Sequence, residues 1–368
     1  MPTRRATPKP QSIDLALQGG GSHGAFTWGV LDRLLEEPWL RLDGVSGTSA
    51  GALNAAVLAT GLAKGGRAGA QAALRAFWEG VAGSGGCFGN GGGAMAAAST
   101  HAFPAWPPGF GGGFDAAMTW NPMAAWLAEF TRLFSPYQFN PYDINPLREL
   151  VQRHVDIAAV RGAEVSVFVN ATAVQSGRPR IFDRNDLTYD ALLASSCLPQ
   201  LFRAVVIDGE PYWDGGYSGN PALWPLIYET AALDLVLVKI DPLVRPGTPD
   251  TAQEIRDRLN EINFNATLAG EMRAIAFVQR LHEEGRLDSG QYKNLRLHMV
   301  ADDSVFEPLD AGSKLDTQLA FLLDLHDKGR AAAARWLAAD AKELGQRSTL
   351  DVRRVFLGEG AATARASR

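Results

Sequence analysis

Hydrophobic and polar positions alternate with a strand period in several short stretches, and each stretch leads into a glycine-rich turn or a segment of helical spacing. Ile13-Asp14-Leu15-Ala16-Leu17-Gln18 alternates as a strand and runs straight into Gly19 to Gly24, after which Ala25 to Glu37 reads as a helix. A second short strand ends at Gly44-Val45-Ser46, followed by Ala50 to Thr60, a run of good helix formers, and Leu74 to Val81 finishes a helical hairpin. Glu164 to Ala171 places Val165, Val167 and Val169 on one strand face and ends in a turn at Asn170 to Gly177. Val205 to Trp213 is a hairpin turning at Asp208-Gly209. Asp234 to Ile240 is the unbroken Leu/Val run of a central parallel strand, and Leu295 to Val300 is similar. Helical spacing also covers Trp120 to Phe134, Asn145 to Val155, Asp190 to Cys197 and Leu315 to Leu344. In the long segment Asp250 to Glu284, Ile255, Leu259, Ile262, Ala266 and Ala269 fall on one stripe, which we read as the cover of a core rather than a membrane binder.

Strands alternating with helices predict an α/β fold with a mainly parallel central sheet, whose ligands sit beyond the carboxyl ends of the strands. At 368 residues the chain is long enough for one large domain, expected over 12–357, between a flexible N-terminus at 1–11 and a loose tail at 358–368. Residues 82–121 depart from this pattern, being rich in Gly, Ala, Pro and aromatics with almost no charge. The stretch is either a loop that fills space with aromatics or a lid-like mouth in contact with lipid.

Composition narrows the function. Hydrophobic residues at 46% and charged residues at 20% are those of an ordinary globular protein. A formal charge of -5, with no long Lys/Arg run, excludes a nucleic-acid footprint. Two cysteines, Cys87 and Cys197, make neither a disulfide framework nor a metal site, so a reducing compartment is the default and Cys197 is expected to pack as a small apolar residue. Met1 to Gln11 lacks the apolar core of a secretory signal, which points to a cytoplasmic protein. No metal or cofactor is called for.

Three stretches carry candidate chemistry. Gly47-Thr48-Ser49-Ala50-Gly51 fits G-x-S-x-G, a strand-turn-helix elbow that presents a serine hydroxyl at the top of a sheet. Gly47 and Gly51 have a steric reason, since a tight elbow brings backbone close to both positions. The Gly19 to Gly24 loop, at a helix N-terminus, is an anion site for one of two anions. One is pyrophosphate, for which Asp43 stands at about the distance of a ribose acid yet before its strand rather than at a strand end. The other is the oxyanion of an acyl intermediate, bound by backbone N–H groups of Gly19, Gly20, Gly21 and Ala50. Asp214-Gly215-Gly216 is the third stretch, an acid fixed between glycines, or simply a turn acid capping its own backbone. With Ser49 as nucleophile, the base is either Asp214 alone or a histidine after it, His282, His298 or His326. His23 reads as a first-turn helix residue lining the mouth.

Taken in order, Gly19-Gly-Gly-Ser-His-Gly24, Gly47-Thr-Ser-Ala-Gly51 and Asp214-Gly-Gly216 resemble the patatin-like phospholipases, as does Ala194-Ser-Ser-Cys-Leu-Pro199 with the stretch through Phe202, Ile207-Asp-Gly209 and Tyr212. The resemblance covers about 13–221, with 222–357 completing the sheet and C-terminal helices. It implies a three-layer α/β/α fold, a Ser49–Asp214 dyad without catalytic histidine, supporting glycines at 24, 47, 51, 215 and 216, and metal-free hydrolysis of lipid acyl esters. His23 departs from the family, which commonly carries Arg or Lys there; this puts a preference for anionic headgroups in doubt. The substrate expected is a lipid or ester, with peripheral membrane contact through 82–121. The competing readings are an esterase or lipase on other esters, a nicotinamide-dependent oxidoreductase using the Gly19 loop, and a non-catalytic regulatory protein of the same fold.

Overall fold

A computed structural model of the chain describes residues 9–84, 135–288 and 290–359. The expected helix at Trp120 to Phe134, nearly all of the 82–121 loop and nearly all of the expected tail lie outside these residues, as do 1–8 of the N-terminus. Among the described residues, eight strands form one sheet: β1 Gln11–Leu17, β2 Leu40–Thr48, β3 Ser166–Ala173, β4 Pro179–Phe182, β5 Val205–Ile207, β6 Glu210–Asp214, β7 Asp234–Val238 and β8 Arg296–Val300. The order is β5-β6-β3-β2-β1-β7-β8, with β4 also on β3. The strands from β3 to β8 along this path are parallel, whereas β4, β5 and β6 pair antiparallel.

Among the described residues, six helices of seven or more residues flank the sheet: α1 Gly24–Leu34, α2 Ala50–Gly83, α3 Pro146–His154, α4 Tyr189–Ser195, α5 Ala252–Glu283 and α6 Leu319–Ala339. Alternation along the strands divides the core between the two faces. Val236 and Val238 of β7 pack with α1, α2 and α6, while Leu235 and Leu237 pack with Leu268, Met272 and Ile275 of α5. This is the expected three-layer arrangement. The hairpin within α2 breaks at Gly65 and Gly66, where the backbone leaves helical geometry and Gly66 takes φ of 61°.

Two elements differ from expectation. β2 extends back to Leu40, so Asp43 lies inside the strand, where its carboxylate accepts the N–H groups of Ala231 and Ala232 at 2.6 and 2.8 Å. That engagement removes the acid a dinucleotide site would use. On α5 the buried face is Glu261, Asn265, Leu268, Met272 and Ile275, not the expected stripe; Ile255, Leu259 and Ile262 are exposed. The two polar members hid this face from a hydrophobic count. Glu261 pairs with Arg245 and Arg258 at 2.7 and 3.0 Å, and Asn265 accepts from Gln18 at 3.2 Å.

Helices α1 and α6 approach backbone to backbone. A Cβ on Gly29 would enter the His326 carbonyl oxygen, and one on Gly329 that of Phe26. Trp28 is held there between Trp78 and His326, with ring centroids at 6.5 and 4.0 Å. Gly29→Ala and Gly329→Ala are each expected to lower unfolding free energy by about 1–3 kcal/mol, the usual cost of overpacking, as read by urea denaturation. An unchanged midpoint in both would contradict this contact.

Candidate active site

The β2–α2 junction bends at Ser49, which takes φ of 53° and ψ of -124°, a backbone conformation that residues with a Cβ rarely adopt. Three glycines allow the bend. A Cβ on Gly47 would lie 2.5 Å from the carbonyl of Gly51, and one on Gly19 would lie 2.6 Å from Thr48 O and 2.8 Å from Ser49 Cβ. One on Gly51 would enter the carbonyl oxygen of Leu17. The ends of β1 and β2 and the start of α2 are therefore in backbone contact. Hydroxyls fix what remains: Ser49 N–H donates to Ser195 Oγ at 2.9 Å, and Thr48 Oγ1 donates to Gly219 O at 2.7 Å.

Sheet register brings Asp214 to the same place. On β3, Asn170 pairs with Thr48 and the next residue, Ala171, pairs with Asp214, so β2 and β6 end at consecutive positions of one strand. The Asp214 N–H donates to Cys197 O, and its carbonyl accepts from Thr172 Oγ1, both at 2.8 Å. Asn170 Nδ2 holds the turn by donating to Gly215 O and Gly219 O at 2.8 and 2.9 Å. Gly216 is packed under Phe264, whose ring a Cβ would penetrate.

The Asp214 carboxyl is 1% exposed. Oδ1 accepts the Gly216 N–H at 2.8 Å, whereas Oδ2 has no hydrogen-bond partner. Burial pushes this carboxyl up to about 7; Asp241 adds to the rise, and the Gly216 N–H, the Ser49 hydroxyl and the charge of Lys314 hold it back. The hydroxyl of Ser49 is thus near enough to favour the carboxylate, yet the vacant Oδ2 shows that no hydrogen bond of ordinary geometry reaches that oxygen.

The glycine loop faces the elbow. Gly19 N–H donates to Asn220 Oδ1 at 2.6 Å, which removes it from the expected oxyanion donors and leaves Gly20, Gly21 and Ala50. Gly21 takes φ of 58° and lies against the backbone of Lys314. Just upstream, Gln18 Oε1 accepts the N–H groups of Ile240 and Asp241 at 2.9 and 3.0 Å, tying β1 to the exit of β7.

Of the histidines, His23 is buried rather than lining a mouth. Its Nε2 is 2.8 Å from Ser313 Oγ, its ring packs 5.3 Å from Phe306, and burial with the charges of Lys314 and Arg245 keeps it neutral. The loop turns as a short 3-10 segment, Gly21–His23, and this drives the side chain inward. His298 is taken up by Asp234 and Thr349 at 3.1 and 2.9 Å, and His326 lies 3.0 Å from Asp327 and 3.4 Å from Asp32. Among the described residues no histidine is hydrogen-bonded to Ser49 or Asp214. Nor does any group of three or more His, Cys, Asp or Glu among them suit a metal ion, and no helix among them is long and apolar enough to cross a membrane. Cys197 is buried as expected, donating to Arg203 O at 3.0 Å, with its thiol pushed up to about 12 by burial.

Ser49, Asp214, Gly20, Gly21 and Ala50 therefore gather beyond the carboxyl ends of the central parallel strands, with Gly24, Gly47, Gly51, Gly215 and Gly216 packed around them. Sequence reasoning did not single out Gln18, Asn170, Thr172, Ser195 or Asn220. The available signal was an amide interrupting an apolar strand pattern, Gln18 directly before the glycines and Asn170 inside β3, where its pairing with β2 ends.

The sequence profile of the patatin-like phospholipases matches residues 15–227, which spans all three motifs. The chain belongs to the patatin-like phospholipase family. No curated protein matches it. Among solved structures, this patatin-like chain is similar to VipD from Legionella pneumophila at 14% identity, with a TM-score of 0.43, over 98% of this chain and 75% of VipD. It is also similar to ExoU, solved in a heterodimeric complex with SpcU from the type III secretion system of Pseudomonas aeruginosa, at 14% identity and a TM-score of 0.35. That match covers 98% of this chain and 60% of ExoU, so the chain spans under two thirds of that protein.

The raised carboxyl of Asp214 has a consequence for stability. Below about 3.8 it is protonated in both folded and unfolded states; between 3.8 and about 7 only the unfolded state loses its proton, so folding weakens as pH rises and the cost is complete above 7. At about 1.36 kcal/mol per pH unit the cost reaches about 4 kcal/mol. Asp214→Asn is therefore expected to gain stability over the wild type as pH rises from 4 to 8, measured by urea midpoints. Asp14 and Glu271, also raised to about 7 by burial, occur in both proteins and cancel. A difference independent of pH would contradict the burial of this charge.

Proposed function

We propose that the chain is a serine acyl hydrolase that cleaves fatty-acyl esters of phospholipids, lysophospholipids or simpler lipids through an acyl-enzyme on Ser49, with Asp214 as the base. The observation that carries this reading is a serine on a strained elbow beside a buried carboxyl whose Oδ2 is vacant. Family membership supports lipid as the substrate class. The ionised Asp214 takes the Ser49 proton as Oγ attacks the ester carbonyl carbon. Hydrogen bonds in such pairs are often long before substrate binds and tighten in the complex. The developing oxyanion is held by the N–H groups of Gly20, Gly21 and Ala50, each contributing about 3 kcal/mol in the transition state. Ala50 N–H lies at the start of α2, where the aligned peptide dipoles favour negative charge. Collapse of the intermediate releases the alcohol, which takes the proton from Asp214. Water then attacks the acyl-enzyme, giving up its proton to Asp214, and the fatty acid leaves as Ser49 regains its hydroxyl.

A free aspartate near 3.9 is a poor base for a serine hydroxyl. Raised to about 7, Asp214 is better matched, at the price of requiring neutral or higher pH for ionisation.

Hydrolysis of a p-nitrophenyl ester and of phosphatidylcholine by wild type, Ser49→Ala, Asp214→Asn and a variant lacking His282, His298 and His326 tests the proposal. Activity is expected to vanish in the first two variants and survive in the third. Loss in a folded histidine variant would overturn the dyad, and a wild type inert to both esters and to a fluorophosphonate would favour a non-catalytic protein. The wild-type kcat/KM is expected to rise with pH through a limb near 7, as Asp214 of the free enzyme loses its proton. A profile flat from pH 5 to 9 would exclude Asp214 as base.

A further inference from the structure

The glycine loop cannot set its own shape. Gly19, Gly20 and Gly21 are free to adopt conformations closed to other residues, so the direction of each N–H depends on what holds the peptide planes. Asn220 supplies that hold. It is fully buried, and its side chain brackets Gly19: Oδ1 accepts the Gly19 N–H at 2.6 Å, and Nδ2 donates to the Gly19 carbonyl at 3.3 Å. Nδ2 also donates to Asp241 Oδ2 at 3.3 Å, and the Asn220 backbone carbonyl accepts from Gln18 Nε2 at 3.2 Å. These partners fix the amide in one orientation, because the Gly19 N–H needs an oxygen and the Asp241 carboxylate needs a donor.

The bond to the Gly19 carbonyl matters most. That carbonyl and the Gly20 N–H belong to one trans peptide and point in opposite directions. Holding the oxygen toward Asn220 turns the Gly20 N–H away from it, on a loop packed against Ser49. Asn220 also ends the short segment that begins at Asp214, and Asn170 pins that segment at Gly215 and Gly219. The turn bearing the proposed base and the clamp on the proposed oxyanion donors are thus one rigid piece.

We infer that Asn220 is a positioning residue that presets the Gly19–Gly21 loop for oxyanion binding in register with Asp214; this rests on the acyl hydrolase reading above. An aspartate keeps the acceptor for Gly19 N–H but loses both donated bonds, and a leucine loses all three side-chain bonds while keeping the backbone carbonyl for Gln18.

The test compares wild type, Asn220→Asp and Asn220→Leu in kcat and KM on p-nitrophenyl butyrate, together with amide hydrogen exchange of the peptide spanning 15–28, in folded protein. Loss of an oxyanion donor costs about 100- to 1,000-fold in kcat. Asn220→Leu is expected to fall in that range with KM within about twofold, Asn220→Asp to fall less, and exchange at Gly20 to Ser22 to accelerate in both. A merely structural role would lower thermal stability without this split between kcat and KM. An unchanged kcat in a folded Asn220→Leu protein would overturn the inference, as would unchanged loop exchange. If wild type cleaves no ester, the exchange measurement still decides whether Asn220 holds the loop, while the hydrolase reading fails separately.

Discussion

The arrangement depends on one steric fact: three pieces of main chain, the end of β1, the end of β2 and the first turn of α2, touch with no side chain between them. Gly19, Gly47 and Gly51 mark the contact, and each has a Cβ position already filled by another residue's backbone. Gly24 extends it, since a Cβ there would come within 2.7 Å of Ala50 Cβ. The spacing that forces Ser49 into its unusual φ also brings the glycine loop beside it. Strain at the elbow and placement of the loop have one cause, and a structure relaxing either would lose both.

A second cost falls on Asp214. The carboxyl is buried with one oxygen hydrogen-bonded and the other without a partner, which opposes folding at neutral pH. Asn170 Oδ1 nearby is likewise buried without a partner, so the cost is offset by the bonds that neighbouring side chains do make. Asn170, Thr172 and Ser195 spend their side chains on backbone around the site. Their work is to hold three turns in mutual register, so the reactive groups need no mobile side chain to align them.

The alternation of strands and helices, the motif glycines and the pair Ser49 and Asp214 were legible because each follows from a local rule: strand period, turn sterics, an elbow pattern. The α5 face was misread because Glu261 and Asn265 point inward to Arg245 and Gln18, and a hydrophobic stripe cannot register a buried polar network. Asp43 was misplaced because Leu40 to Leu42 join β2 through pairing with β1, a tertiary contact. The role of Asn220 was hidden for the same reason. Its partner Gly19 is far away in sequence, and nothing near Asn220 distinguishes it from an ordinary turn residue.

His23 sharpens what the site's electrostatics rest on. A cation in the glycine loop would give the site a positive side chain, but His23 is neutral, buried and turned toward Ser313 and Phe306. The nearby Lys314 is bonded to Asp241 at 2.6 Å, so its charge is largely answered before any substrate arrives. On the proposed hydrolase reading, what remains to meet a developing oxyanion is backbone: the loop N–H groups and the N-terminus of α2. Such donors carry only partial charge and act only where they are aimed. With no free cation at the site among the described residues, that reading makes it depend more heavily on the aim of its peptides, and hence on the buried side chains that fix them.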